Sequence, residues 1–410
     1  VLGALGIDQT EDLYPVPDSF PKVPVVLNRD FSASLIDKIL AAKRPLIIHG
    51  PGGIGKTVVM QSLEKIFSEN NETILFDGFG GGLWRAPSDH RHLAKRSLLH
   101  IINSLAAKNL CDLLLPSTDD ETILRTAIRR LSQAVTTLRE TNPQKNIVLL
   151  LDAIDHAGMR SNSENTASFA KELLKELDIN PIDGIVIVAS CRTERKKEAY
   201  DQIDYPDFQI PIFSDNEIRQ LVRARSIQLN SSEEAILISK SGGNPRCIDM
   251  MLKNNALLNT PSVEGNEELL NALLEERFKQ AIQHAKEKGS FTPEGESFIA
   301  SLRLLPPPVP MDELAKIFEV PFQSIQSFVS DLYPLIEATQ HGLIFRDEPT
   351  ETLAKKYAEK NFRETDQFIQ GLKEQQSTSV YCARALPNLL IEFDRADDLI
   401  ELAFSDVFPD

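Results

Sequence analysis

Five short apolar runs mark the first half of the chain, at residues 45–50, 73–79, 146–152, 184–190 and 208–212. The third and fourth runs are continuously hydrophobic, which is typical of strands buried on both faces of a parallel sheet. Segments with a helical period separate the runs, at about 32–43, 58–67, 121–140 and 165–177. This alternation predicts an α/β domain built on a parallel sheet.

The first apolar run leads into Gly50-Pro51-Gly52-Gly53-Ile54-Gly55-Lys56-Thr57, which fits the phosphate-loop pattern G-x-x-x-x-G-K-[ST] at every fixed position. Glycines let backbone N–H groups turn inward around phosphates. Lys56 is expected to reach the β- and γ-phosphates, and the Thr57 hydroxyl to hold Mg²⁺. The helix that begins at Val58 points its positive end at the same phosphates. The sequence therefore predicts a site for a nucleotide and Mg²⁺ from Gly50 to Val58.

An acid ends the third apolar run. Asp152 is thereby placed at the carboxyl edge of the sheet, where parallel sheets bind ligands. Its predicted role is to hold Mg²⁺ through water, as the Walker B residue does. Asp155, three residues further on, is the best candidate to orient or deprotonate the attacking water. The alternative for both residues is an acidic turn after a core strand.

Two arginines are candidate nucleotide contacts. Arg192 follows the fourth apolar run, and a guanidinium suits phosphate, so it is predicted to sense the γ-phosphate. The alternative is a surface arginine in a basic turn. Arg29 precedes the first helix, in a segment that carries the adenine in many nucleotide-binding folds of this type. A plain linker is the equal alternative there.

The second half of the chain is helical in pattern. Helices at about 293–304, 311–318 and 321–333 precede a hairpin at about 336–346, which is a winged-helix pattern. The predicted domains are a linker or docking arm, a phosphate-loop NTPase domain, a helical domain, a winged-helix domain and a helical segment that begins a tetratricopeptide-like array, at residues 1–24, 25–213, 214–288, 289–350 and 351–410.

Two histidines one residue apart, His90 and His92, have the spacing of a metal-ligand pair. Basic residues surround them, and Asp89 is the one carboxylate nearby in sequence. A metal site is therefore disfavoured. The favoured interpretation is a solvated basic face on a helix that runs to about Lys108, with phosphate or partner contact second.

Composition narrows the choice of partners. The 410 residues carry a net charge of −16, which argues against direct nucleic-acid binding by the segment as a whole. The cysteines are far apart, so a disulfide framework is not expected, and a cytoplasmic location fits. No stretch approaches the roughly 18 apolar residues of a membrane helix, so no membrane partner is expected. Because the chain begins at Val1, we expect it to be a piece of a longer protein.

The combination of motifs resembles a STAND NTPase, the signal-transduction class that includes nucleotide-binding immune receptors of plants and animals. The resemblance covers roughly residues 25–350 and rests on the phosphate loop, 149–155, 189–192, Gly243-Asn244-Pro245 and the winged-helix pattern. A closer resemblance, to the bacterial antiviral (AVAST, or Avs) branch, rests on residues 76–82, 91–92, 110–112 and 386–390.

The resemblance implies a mechanism that spacing cannot show. Such proteins keep ADP in a closed monomer until a trigger protein binds the C-terminal repeats. ATP then enters, the chains form a homo-oligomer, and an N-terminal effector is switched on. For the antiviral branch the trigger is expected to be a phage protein and the oligomer a tetramer.

The resemblance also assigns residues. By match to motif, Pro245 lies against the nucleotide base and Arg192 is the sensor arginine. Animal and plant relatives carry a Met-His-Asp turn whose histidine contacts the ADP phosphate. This sequence has Phe345-Arg346-Asp347 there, so Arg346 is the candidate replacement.

Two other functions stay open. A conventional AAA-type ATPase that does mechanical work should show an arginine finger for the neighbouring subunit, and none can be assigned. A nucleotide-gated DNA-binding regulator should carry a basic third winged-helix segment. Residues 322–332 contain no Lys or Arg and include Asp331. Because a switch needs a long-lived state more than rapid turnover, the predicted activity is slow, regulatory ATP hydrolysis.

Overall fold

The computed structural model describes residues 9–20, 25–86, 88–116, 119–253, 266–288, 295–333, 335–361 and 365–405. They fall into two compact units, residues 1–80 with 88–270 and residues 81–87 with 271–410. The phosphate loop and every other predicted site residue except Arg346 belong to the first unit. The finer division into five domains stays a prediction.

The first unit is built on a five-stranded parallel sheet. Its strands are β1 (Leu46–Gly50), β2 (Glu72–Asp77), β3 (Ile147–Asp152), β4 (Ile185–Arg192) and β5 (Asp207–Gln209). Across the sheet the order is β2-β3-β4-β1-β5, and these pairings are parallel. The predicted α/β class with a parallel sheet is confirmed. All five strands end at one carboxyl edge, where the site residues of β1, β3 and β4 lie.

Helices cover both faces of this sheet. They are α1 (Ser32–Ala41), α2 (Lys56–Phe67), α3 (Ala94–Ala106), α4 (Asp120–Thr141), α5 (Ile154–Glu164), α6 (Phe169–Ile179), α7 (Lys196–Tyr200), α8 (Asp215–Ala224), α9 (Ser231–Ser241) and α10 (Pro245–Lys253). On one face, Leu149 and Leu151 of β3 pack into a core with residues of α3, α4 and α6. On the other face, Val148 and Leu150 join residues of α1 and α2. Burial on both sides explains why β3 has no polar position before Asp152.

Helix α5 was not expected from the sequence, and the helix predicted at 165–177 begins only at Phe169. The residues after Asp155 are mostly small or polar and have weak helix propensity. Packing overrides that propensity, because the first turn of α5 is buried, from Ile154 to Gly158. A methyl group on Gly158 would lie 1.7 Å from the carbonyl oxygen of Glu198, so only glycine permits this approach.

The described part of the predicted docking arm, residues 9–20, packs on the first unit. Val16 is fully buried in the core, and the Asn103 side chain donates a hydrogen bond of 3.0 Å to the Leu13 carbonyl. Residues 1–8 and 21–24 lie outside the described residues.

The second unit has the predicted element order. It comprises the part of α11 (Asn266–Lys288) from residue 271 onward, followed by α12 (Gly295–Leu304), α13 (Met311–Ile317), α14 (Phe322–Leu332), β6 (Ile336–Thr339), β7 (Gly342–Phe345), α15 (Glu348–Asn361), α16 (Thr365–Gln375), α17 (Val380–Glu392) and α18 (Ala396–Ala403). Strands β6 and β7 form an antiparallel hairpin after three helices. The predicted start of α12 at 293 lies outside the described residues. Among the described residues, no helix combines the length and the apolar composition needed to cross a bilayer.

Candidate nucleotide-binding site

The loop between β1 and α2 requires glycine at two of its positions. Gly53 and Gly55 have φ angles of 76° and 94°, in the left-handed region that favours glycine. A methyl group on Gly53 would also lie 2.8 Å from Cβ of Arg246. The glycine spacing that identified the motif therefore has a steric cause.

Lys56 is bound to its own loop. Its Nζ donates hydrogen bonds to the carbonyl oxygens of Gly50, at 2.9 Å, and Pro51, at 3.0 Å. The ammonium group thus lies across the loop, where the motif places phosphates. A phosphate entering the loop would exchange these two carbonyl contacts for stronger, charge-assisted ones.

Thr57 and Asp152 meet at the base of the loop. The Thr57 hydroxyl donates to Oδ2 of Asp152 at 2.7 Å. The Ser190 hydroxyl donates to Oδ1 of the same carboxylate, and the Ala153 amide donates to the Ser190 oxygen at 2.9 Å. A hydroxyl and a carboxylate are hard oxygen donors, which Mg²⁺ prefers, so this pair fits the predicted metal. The sequence did not single out Ser190, whose contribution is to orient Asp152.

The Asp152 carboxylate is fully inside the unit, 1% exposed. Burial raises its pKa to about 6, against the opposing effect of the hydrogen bonds from Ser190 and Thr57. Asp77, which pairs with it in the sheet register, raises the pKa further. A buried carboxylate next to another acid is stabilised by a cation, and Mg²⁺ would supply one.

Arg192 lies against the loop. The register of β1 and β4 pairs it with Gly50, and its side chain is 5% exposed. A methyl group on Gly52 would lie 3.2 Å from Nη2 of Arg192, so the guanidinium is in contact with the loop. The structure therefore brings a second cation to the place expected for phosphates. Its role as a γ-phosphate sensor stays a prediction.

Asp155 lies in the first turn of α5 and is buried. Its Oδ2 is 3.5 Å from Nη1 of Arg195, a residue that the sequence indicated only as part of a basic turn. This ion pair stabilises the charged carboxylate inside the unit. The assignment of Asp155 as the residue that activates water stays a prediction.

Arg29 holds two segments of the first unit together. Its Nε donates to Oε1 of Glu217 at 2.7 Å, and its Nη2 donates to the carbonyls of Pro211 and Ile212. The guanidinium also stacks on Phe213, 3.9 Å from the ring centroid. These contacts are structural, and a contact with the nucleotide stays a prediction.

The Gly243-Asn244-Pro245 segment packs on the phosphate loop. The fully buried Asn244 side chain donates to the Gly52 carbonyl at 3.2 Å, and its oxygen accepts from the Arg246 amide at 2.9 Å. Pro245 Cγ is 4.0 Å from where a methyl group on Gly55 would lie. The sequence analysis assigned a role to Pro245 and none to Asn244, although an amide side chain between Gly and Pro was the available signal. Contact of Pro245 with the base stays a prediction.

Arg346 belongs to the second unit, directly after β7. Its amide donates to the Leu335 carbonyl at 3.0 Å, and its Nε is 3.8 Å from Oε1 of Glu337. Its predicted contact with the ADP phosphate stays a prediction.

The expected solvated basic face at 89–96 is wrong. Arg91 and His92 are each 1% exposed, and the helix begins only at Ala94. Arg91 pairs with Asp89 and donates to the Asp77 carbonyl at 2.6 Å. A buried guanidinium is tolerated when its donors are satisfied in this way, and a sequence pattern cannot show such partners.

The β2-β3-β4-β1-β5 sheet, the loop between β1 and α2, and the buried acid at the end of β3 define the phosphate-loop NTPase fold. No protein-family model matches the chain, and no curated protein matches it either.

Several solved structures are similar to it at low identity. A STAND protein with a tetratricopeptide repeat sensor from Pyrococcus horikoshii is 14% identical, with a TM-score of 0.49, over 94% of this chain and 51% of that one. The Walker-type ATPase of Pyrococcus abyssi is 13% identical, with a TM-score of 0.41, over 84% and 99%. The replication initiator DnaA bound to AMPPCP and single-stranded DNA is 11% identical, with a TM-score of 0.31, over 93% and 96%. This chain thus spans about half the length of the first protein.

We predict that Asn244→Ala weakens nucleotide binding about tenfold. The lost hydrogen bond contributes roughly 1 kcal/mol, and the buried Gly52 carbonyl is left without its partner. Titration with a fluorescent ADP analogue measures the change. Asn388→Ala is the control, because that exposed amide contacts only its own helix. Equal affinities of the two variants would show that Asn244 does not support the loop.

We predict that the gain in nucleotide affinity from Mg²⁺ falls as the pH drops through about 6. Asp152 must be ionised to hold the metal, and its raised pKa moves protonation up from near pH 4. Below this pKa, the gain in affinity from Mg²⁺ falls about tenfold per pH unit. The measurement is the affinity ratio with and without Mg²⁺ from pH 5 to 8. Asp152→Asn is the control, because the pH dependence that remains in this variant comes from protonation of the nucleotide. An identical pH profile in the variant and the natural chain would contradict the prediction.

Proposed function

We propose that this chain binds ATP with Mg²⁺, hydrolyses it slowly, and uses its nucleotide state to gate self-assembly. The observation that carries the proposal is the convergence of Lys56, Arg192 and the Thr57–Asp152 pair on one glycine loop. A triphosphate needs positive charge around it, and the loop offers two side-chain cations and a site for Mg²⁺ as a third.

Each side chain has a role that follows from its chemistry. Lys56 and Arg192 neutralise the charge that develops on the transferred phosphoryl group. Thr57 and Asp152 would hold Mg²⁺, which would supply positive charge to neutralise the phosphates. Asp155 orients or deprotonates the attacking water, and Pro245 contacts the base. Arg346 takes the place of the histidine that contacts the ADP phosphate in related receptors.

The hydrogen bonds of the loop support a switch. In the structure Lys56 donates to loop carbonyls and Thr57 donates to Asp152. Nucleotide and Mg²⁺ compete for the same groups, so the loop has two alternative sets of partners. Asn244 joins the loop to the N-terminal end of α10, because its amide contacts Gly52 and its oxygen contacts Arg246. A change in the loop is thereby passed to a helix, as a nucleotide-gated element requires.

The biological setting of the proposal rests on the sequence resemblance to the antiviral branch of STAND proteins. There, C-terminal repeats bind a trigger, such as a phage protein, and an N-terminal effector acts once the chains assemble. We propose the same sequence of events for this protein in the bacterial cytoplasm, with effector and complete sensor outside residues 1–410.

We predict that Asp155→Asn retains ATP binding but lowers the hydrolysis rate by about 100-fold or more. Loss of a general base typically removes that much rate, while the loop and its cations are unchanged. Single-turnover hydrolysis and equilibrium binding measure the two properties separately. Lys56→Ala is the comparison, since it should lose binding as well. Normal turnover in Asp155→Asn would place the base elsewhere.

Mass photometry tests the switch. The intact protein is measured with and without non-hydrolysable ATP, alone and after co-expression with candidate phage proteins. We expect a defined oligomer only when ATP and one trigger are both present. A ring that forms without a trigger would favour a conventional AAA-type ATPase. Retention on DNA that weakens steeply with salt would favour a DNA-binding regulator.

A further inference from the structure

Three side chains come together beside α3, away from the phosphate loop. His90 and His92 lie in the segment that precedes this helix, and Glu164 is the last residue of α5. One ligand atom from each lies within 4.8 Å of the other two. The carboxylate that the sequence lacked near the two histidines is therefore supplied by a distant element.

The geometry of His92 differs from that of an ordinary ion pair. Its Nε2 lies 2.9 Å from Oε2 of Glu164, in a side chain that is 1% exposed. Nε2 forms no well-aligned hydrogen bond within the described residues, so an ion bound by both groups would give this buried nitrogen a partner.

A neighbouring arginine positions the carboxylate of the cluster. Arg160 pairs with the other oxygen of Glu164, at 2.5 Å, and orients it. An outer partner of this kind fixes a ligand and leaves its second oxygen for the ion.

We propose that His90, His92 and Glu164 bind a divalent transition-metal ion, and that zinc is the ion they fit best. Two imidazoles and one carboxylate form a three-ligand zinc set with one position left for water. Imidazole donors disfavour Mg²⁺, which separates this site from the Thr57–Asp152 pair.

The ion would fix the C-terminal end of α5, the helix that carries the predicted base. Glu164 closes the helix, and Asp155, the predicted base, lies in its first turn. The segment that carries the histidines also holds Arg91, whose guanidinium donates to the Asp77 carbonyl at the end of β2. Metal binding would thus join α5 to the carboxyl edge of the sheet.

Zinc content tests the proposal directly. The tag-free chain is treated with a chelator, dialysed against buffered Zn²⁺, and analysed by mass spectrometry of the metal. We expect one zinc per chain, with affinity about tenfold or more lower in His90→Ala and in Glu164→Gln. His341→Ala, which removes an exposed histidine of the β6–β7 hairpin, is the matched control and should bind zinc normally.

Two measurements make the outcome decisive. Circular dichroism establishes whether each variant is folded. If His90→Ala does not fold, the result rests on Glu164→Gln, which keeps the size and shape of the side chain. Asp152→Asn should bind one zinc as the natural chain does. Zinc that is lost with Asp152→Asn, zinc that is retained in Glu164→Gln, or a natural chain that takes up none would each overturn the proposal.

Discussion

The buried Asp152 carboxylate is the interaction on which the nucleotide site depends. It accepts hydrogen bonds from Thr57 at the start of α2 and from Ser190 on β4, so it joins three elements that are distant in sequence. Because burial raises its pKa to about 6, the carboxylate is held in a state that a cation would stabilise. The same group that organises the carboxyl edge of the sheet is therefore prepared to receive Mg²⁺.

The phosphate loop adds a second constraint, since neighbouring side chains pack closely against two of its glycines. Arg192 lies against Gly52 and Arg246 against Gly53. Asn244 also donates to the Gly52 carbonyl. The loop is consequently in contact with α10 as well as with the sheet. A nucleotide that rearranges the partners of Lys56 alters a surface shared with this helix, which gives the proposed switch a physical route within one compact unit.

Buried charged side chains outside the loop have a structural role. Arg91, Asp89 and Arg29 are each satisfied by ion pairs and backbone carbonyls that connect segments of the first unit. The His90, His92 and Glu164 cluster is chemically distinct, because its imidazoles suit a transition metal while Thr57 and Asp152 suit a hard cation. The unit thus carries two donor sets with different metal preferences.

The sequence by itself determined the α/β class, the five strands and the phosphate loop, because periodicity, glycine spacing and a terminal acid are local properties. It also placed Asp152 and Arg192 at strand ends, and the register then brought Arg192 against Gly52. Only the tertiary structure decided the partners of buried polar groups: Ser190 for Asp152, Glu217 for Arg29, and Glu164 beside His92. Those pairings depend on which distant elements pack together, and burial in α5 overrode a weak local propensity in the same way.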